Sequence, residues 1–292
     1  MIITKIHGGL GNQLFQYAVG RQLAENQRSD LKLDLSHYKN PSKGTSPRTF
    51  KLDVFRIKAN IVSPGDEDNV LGFPYLRPLK RRLKKMGLDV FRWNYLRETT
   101  FGFHPQILSF QKQAVLDGYW QSERYFPTIR SLLLDELVLK DKFVSNRFLS
   151  LKQEISAVES VAVHIRRGDY VHKKNVNQEF GVCSLEYYKK AIQLIKTSKQ
   201  KPVFYIFSDD LAWCRENLPD ADSLHFVSGF KDYQDLMLIS SCCHQIVANS
   251  SFSWWGAWLN PNSHKIVIAP KTWFASPELD TTDIVPETWL RL

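Results

Sequence analysis

From Val161 to Ala269 the chain alternates short apolar runs with longer stretches of helical periodicity. No other feature restricts the fold as much. The spacing predicts strands over 161–165, 203–207, 224–227, 245–248 and 265–269, and helices over 184–197, 210–217, 232–243 and 252–259. Strands joined through helices return in the same direction, so they form a parallel sheet. The N-terminus begins in the same way. Ile2–Ile6 reads as a strand, a glycine-rich turn follows, and 12–26 places Leu14, Tyr17, Ala18 and Leu23 at helical spacing before a strand at 31–35. Residues 40–110 show little periodicity, 114–117 reads as a short strand, and 122–139 as largely helical with Pro127 near its start. A chain of 292 residues is long for one core. The expected architecture is α/β, with two doubly wound, Rossmann-like domains facing a cleft, 1–150 and 151–292.

The composition is globular, and the formal charge of +9 favours anionic partners. Nucleotides, nucleic acid and anionic membrane surfaces all fit that charge. The four cysteines form no C-x-x-C pair, which points to a reducing, cytoplasmic setting. No apolar run reaches the roughly 20 residues of a membrane span. The first residues read as a strand, not as a signal peptide.

Four segments carry candidate chemistry. The first is His7-Gly8-Gly9-Leu10-Gly11-Asn12-Gln13, between a strand and its helix. Glycines there admit close backbone approach, and the helix start offers free N–H groups. Asp34 imitates the ribose-binding acid of a dinucleotide site, but the third small residue of that fingerprint is replaced by Leu14. A ligand turn and a plain strand-to-helix turn both remain open. The second segment is His164-Ile165-Arg166-Arg167-Gly168-Asp169, at the end of a buried strand, where α/β sheets seat their ligands. Arginine offers a planar fork of donors suited to phosphate. Alternation along an extended segment sends Arg166 and Arg167 to opposite faces. One is expected on the ligand and the other in an internal pair with Asp169; His164 shares the face of Arg166. The third is Ser208-Asp209-Asp210: a carboxylate there can accept from a purine such as guanine, or cap the next helix. The two acids are adjacent and not spaced as metal ligands. The fourth runs from Asn249 through Ser250, Ser251 and Phe252 to Trp258, delivering two serines to a helix start that suits an anion. Trp254 and Trp258 are expected in the core.

Taken together, the segments HGGLGNQLFQYAVGRQLA, GYWQSERYF (118–126), HIRRGDY and ANSSFSWWGAWL resemble bacterial α-1,2-fucosyltransferases of glycosyltransferase family 11. The likeness covers nearly the whole chain in order. It implies a GT-B-like fold, GDP-β-L-fucose as donor, no metal, and inverting transfer to the 2-hydroxyl of a galactose in a glycan. It places Arg166 on the β-phosphate, and His164 and Asp209 around the guanine or ribose. Ser208 falls in the same donor site. Ser250, Ser251 and Phe252 fall at the pyrophosphate, with Gly9, Gly11, Asn12 and Gln13 approaching the donor from the N-terminal domain. The domain 1–150 is then the acceptor side and 151–292 the GDP-fucose side. Arg166 replaces a divalent cation in neutralising the departing nucleotide. The base is open among Asp169, Asp34 and Glu123; the last two are acceptor-side candidates.

Two other readings compete. GDP-fucose-dependent transferases of another linkage share the arginine motif. Residues 77–92 carry seven basic residues against one acid. That run is a solvated loop, a peripheral membrane patch that meets a lipid-linked acceptor, or the mark of a non-catalytic nucleic-acid module. The transferase reading expects no nucleic-acid partner.

Overall fold

The computed structural model describes residues 1–39, 48–71, 94–168, 181–220, 223–276 and 278–292. The chain divides into two compact units, Met1–Val138 and Leu139–Leu292.

In the first unit the described elements are β1 (Ile2–Lys5), α1 (Leu10–Asn26), β2 (Leu31–Asp34), α2 (Ser36–Lys39), β3 (Asn60–Ile61), α3 (Asp66–Leu71), β4 (Tyr95–Arg97), β5 (Ala114–Asp117) and α4 (Arg130–Glu136). The sheet order is β3-β2-β1-β5-β4, every pair parallel. The central strand β1 is apolar on both faces because helices cover both sides of such a sheet. α1 lies close on it. A Cβ at Gly20 would stand 2.2 Å from Thr4 Oγ1, so only glycine permits this approach. The amide of fully buried Gln13 staples a loop to the helix start. Its Nε2 donates to the carbonyls of Gly8 (3.1 Å) and Thr49 (2.8 Å), and its Oε1 accepts from Lys51 N (2.9 Å).

In the second unit the described elements are α5 (Asn146–Ser156), β6 (Ser160–Ile165), α6 (Leu185–Ser198), β7 (Val203–Ser208), α7 (Leu211–Asn217), β8 (His225–Phe226), α8 (Asp232–Ser241), β9 (His244–Ile246), α9 (Ser251–Trp258), β10 (Val267–Ala269) and β11 (Leu290–Arg291). The order is β11-β10-β9-β6-β7-β8, again all parallel. Counted from β6, this is the strand order of the dinucleotide-binding fold. Val161, Val163 and Ile165 pack into a core with Tyr188, Ile192 and Cys214. His164 therefore lies on the other face, where its ring centroid sits 5.3 Å from that of Phe252. Trp254 and Trp258 are buried and stacked, centroids 6.0 Å apart, as expected.

Several expectations need correction. The expected division between 150 and 151 falls inside α5, and the two units part instead at Val138 and Leu139. Ser145 caps α5 by accepting from Phe148 N (3.2 Å), and Phe148 and Ile155 are buried. The region 122–139 is not one helix. It is a 3₁₀ turn at Glu123–Tyr125 followed by α4. Pro127 drives the residue before it out of helical conformation, and Phe126 has φ −139° and ψ 54°. Strands β3, β4 and β11 were not anticipated; at two or three residues each, they exist only through pairing with a neighbour. The basic run 77–92 lies outside the described residues.

Candidate functional site

In the second unit the strand order reverses between β6 and β9, and the crevice beyond their carboxyl ends is where such a sheet takes a ligand. Arg166 and Arg167 emerge there from β6, and Ser250, Ser251 and Phe252 follow β9. The two arginines diverge as alternation requires. Arg167 turns toward α7: its Nε donates to Asp210 Oδ2 at 3.2 Å, and its guanidinium lies 3.8 Å from the centre of the Trp213 ring. Asp210 is thus a partner of Arg167; Asp169, the partner expected, lies outside the described residues. Arg166 Nη1 lies 2.8 Å from Asp209 Oδ2, with both side chains about a quarter exposed. Asp209 Oδ1 also accepts from Arg167 N (2.9 Å), so one carboxylate orients the segment that presents Arg166. A Cβ at Gly168 would stand 2.5 Å from Asp209 Oδ2, so glycine is what lets the carboxylate close in. Asp210 caps α7 by accepting from Trp213 N (3.1 Å), and Ser208 Oγ accepts from Asp210 N (3.0 Å). The capping role of the Ser-Asp-Asp segment thus falls to Asp210, while Asp209 holds Arg166 and the Arg167 N–H.

His164 is 7% exposed, and its Nδ1 is buried with no hydrogen-bond partner. Burial, and after it the charge of Arg166, push the imidazole down to about 4 against the pull of Asp209. The ring is neutral at pH 7, and such an orphaned polar atom is normally satisfied by a ligand or water. Ser250 caps α9, accepting from Phe252 N at 3.3 Å. The helix start keeps N–H groups and half-exposed Ser251 and Phe252 beside it.

One buried acid of this unit was not singled out in the sequence. Asp235 lies in the first turn of α8, which packs on α9. Its Oδ1 is buried without a partner, and burial, then the neighbouring Asp232, push the carboxyl up to about 7. An acid in a helical first turn reads as an ordinary dipole partner, so no local signal marks it. Its folded pKa is raised. The carboxyl therefore costs nothing below the ordinary carboxylate range and destabilises as pH rises through about 7. Asp235→Asn is expected to raise Tm at pH 8 and leave it unchanged at pH 4, read by thermal denaturation; an equal shift at both values would refute this.

In the first unit the order reverses between β1 and β5. Gly9 precedes α1 as an uncapped N-terminal residue with φ −82°, and a Cβ there would meet nothing within 4 Å. Neither conformation nor packing demands glycine at this position. Gly11 is buried in the first turn of α1. Half-buried Asn12 accepts from Gln121 Nε2 at 3.0 Å. Gln13 departs from its expected donor contact, because its amide is committed to the backbone. Asp34 holds Ser36 N (2.8 Å) and lies 3.7 Å from Lys5 Nζ. Glu123 sits within electrostatic reach of Arg130. Among the described residues no group of three or more His, Cys, Asp or Glu side chains is placed to hold a metal ion.

The sequence matches the family model for Glycosyl transferase family 11 over residues 83–292. The chain belongs to glycosyltransferase family 11. As a family 11 member it is a glycosyltransferase, of a fucosyltransferase-like group. It is 34% identical to an alpha-1,2-colitosyltransferase of Escherichia coli, over all of this chain and 99% of that one. It is 30% identical to the O-antigen biosynthesis glycosyltransferase WbnK of E. coli, over 98% of this chain and 99% of that one. Its fold is shared with the NodZ alpha-1,6-fucosyltransferase, whose crystals were soaked with GDP-fucose; the TM-score is 0.52 at 17% identity, covering 89% of this chain and 92% of that one. The family 11 chain is thus α/β and GT-B-like. No helix among its described residues is long and apolar enough to cross a membrane.

Proposed function

We propose that this enzyme transfers L-fucose from GDP-β-L-fucose to the 2-hydroxyl of a galactose in a glycan, with inversion and without a metal. The observation that carries the reading is Arg166 held on Asp209 at the strand-order reversal of a dinucleotide-type sheet, with the α9 start following the neighbouring strand. Arg166 and the α9 N–H groups take the diphosphate; His164, Asp209 and Ser208 take the ribose or guanine. Asp235 joins them, because a purine with ring and exocyclic N–H donors satisfies a buried carboxylate. The first unit is the acceptor side in this reading.

The chemistry follows from charge. The sugar passes through an oxocarbenium-like state while the β-phosphate gains negative charge. A guanidinium and a helix start, fixed in advance, stabilise that charge without a cation.

A second donor is favoured by the 34% identity to the colitosyltransferase. Colitose lacks the 3-hydroxyl of fucose. A pocket that hydrogen-bonds this hydroxyl rejects the deoxy sugar strongly, whereas a merely roomy pocket discriminates weakly. The test is incubation with GDP-fucose and GDP-colitose, a panel of galactosides, and EDTA, with linkage analysis of the product by NMR. A 1,2-linked fucoside formed in EDTA is expected. Another linkage, or activity abolished by chelation, overturns the reading. Exclusive use of GDP-colitose replaces the donor and leaves the rest. A lipid-linked acceptor and a peripheral, cytoplasmic membrane location belong to the same proposal.

A further inference from the structure

Four strands of the first unit end on the same side of its parallel sheet, and an aromatic ring follows each of them. β1 leads to His7, β2 to His37 and Tyr38, β4 to Phe101 and β5 to Tyr119, and all five side chains are half-buried. β1 and β5 flank the reversal of strand order, the place where such a sheet takes a ligand. The rings meet one another. Tyr119 stands edge-on to His7 at 4.7 Å between centroids, His37 lies 5.6 Å from His7, and Phe101 is parallel to Tyr119 at 6.4 Å. Tyr38, 5.6 Å from His37, donates its hydroxyl to the Gly8 carbonyl at 3.1 Å. Among the described residues the ring nitrogens of His7 and His37 have no hydrogen-bond partner.

The placement of Tyr119 is held under strain. Trp120, directly after it, is left-handed at φ +58°, which a bulky residue adopts only when its surroundings compel it. The Glu98 carboxylate compels it, accepting from Tyr119 N (2.6 Å) and Trp120 N (3.0 Å). Gly118 leaves the room: a Cβ there would stand 2.4 Å from Glu98 Cβ. Strain that persists in a sheet's ligand crevice points to use of the ring it fixes.

Charge decides what these rings can take. Burial lowers the His7 pKa most, His37 next, and Lys5 also lowers it, while Asp117 opposes them. The imidazole is therefore neutral near pH 7, donating at one nitrogen and accepting at the other. Lys5 is answered by Asp34 and Glu67, each at 3.7 Å. Asp117 accepts from the Tyr95 hydroxyl (2.5 Å), and Glu98 serves the strained turn. The rings thus offer apolar faces and neutral hydrogen-bonding nitrogens, unlike the arginines at the crevice of the second unit. A neutral polyhydroxylated ring matches them. A pyranose carries C–H bonds on its faces, which pack on an aromatic ring, and hydroxyls at its rim, which both donate and accept.

We propose that this crevice is a sugar-binding site, in which a galactose of the glycan lays its C–H face on Tyr119 and hydrogen-bonds His7 and His37 through its hydroxyls. The site is built by the first unit alone, and its assignment to galactose rests on the transferase function proposed above. Glu98 and Gly118 are positioning residues that act through Tyr119.

The test titrates methyl β-D-galactoside into the full enzyme without nucleotide, followed by histidine NMR and saturation transfer to the sugar. The His7 and His37 resonances should move with the sugar equally at low and high salt, and inorganic phosphate should leave them in place. Tyr119→Ala should weaken the sugar about tenfold, as loss of one aromatic contact does, and Tyr119→Phe should restore it. In the transfer assay Tyr119→Ala should raise KM for the galactoside with kcat within about threefold of wild type, because ground state and transition state lose the same contact. The Kd of GDP and the circular dichroism spectrum should hold. Unchanged galactoside affinity and KM in Tyr119→Ala overturn the site and leave the function standing. Histidine resonances that move with phosphate and not with sugar also overturn it. If Tyr119→Ala does not fold, His7→Phe decides: it keeps a ring, removes both nitrogens and should weaken the sugar about fivefold, and an unchanged affinity overturns the site. A wild type that neither binds nor modifies any galactoside sinks both.

Discussion

Arg166→Ala is expected to lower kcat by about 10²–10³, equivalent to about 2.7–4 kcal/mol of transition-state stabilisation, as loss of one preorganised oxyanion donor does elsewhere. The fall should appear in kcat more than in KM, because the charge that Arg166 meets grows only as the nucleotide leaves. The fold should survive. The Arg166–Asp209 pair is about a quarter exposed on each side, and pairs so placed contribute roughly 0–1 kcal/mol. Arg166→Lys should recover only part of the rate, since a point charge lacks the paired donors that fit phosphate oxygens. Steady-state kinetics with parallel GDP-binding measurements checks this. Turnover within a few-fold of wild type in the alanine variant would remove Arg166 from the mechanism.

Glu136→Ala is expected to cost about 3–5 kcal/mol of stability, the usual consequence of removing one partner from a buried ion pair. Glu136 is 2% exposed and accepts from the Tyr17 hydroxyl and from Arg21 Nε (3.1 Å). Its removal leaves a phenol and a guanidinium facing a cavity; the exposed Glu25, 2.8 Å from Arg21 Nη1, compensates little. Urea denaturation measures the effect, and a loss below about 1 kcal/mol would show that water repairs the site.

These two residues differ in how plainly the sequence announces them. Arg166 stands where an apolar run ends, and the alternation that separates it from Arg167 is a property of any extended segment. Glu136 looks like an unremarkable helical acid; its partners lie more than a hundred residues away. Gln13 errs in the opposite direction. It sits inside the strongest N-terminal motif, yet its amide serves the backbone of residues 8, 49 and 51. A motif marks where the chain passes near a ligand, but not which of its side chains face one. Asp235 escaped for the same reason as Glu136: burial made it important, and burial belongs to the assembled unit.

The sequence by itself determined the elements long enough to show a period, the parallel sheets that strand–helix alternation requires, and the face on which Arg166 emerges. All of these rest on interactions between near neighbours in the chain. Only the tertiary structure decided the strand order, which brings the residues after β6 beside those after β9, and after β1 beside those after β5. Only there did Trp120 become left-handed, with Glu98 holding it so. Pairing between distant segments and the removal of water from around a charge have no local signature; they arise when separate parts of the chain close on one another.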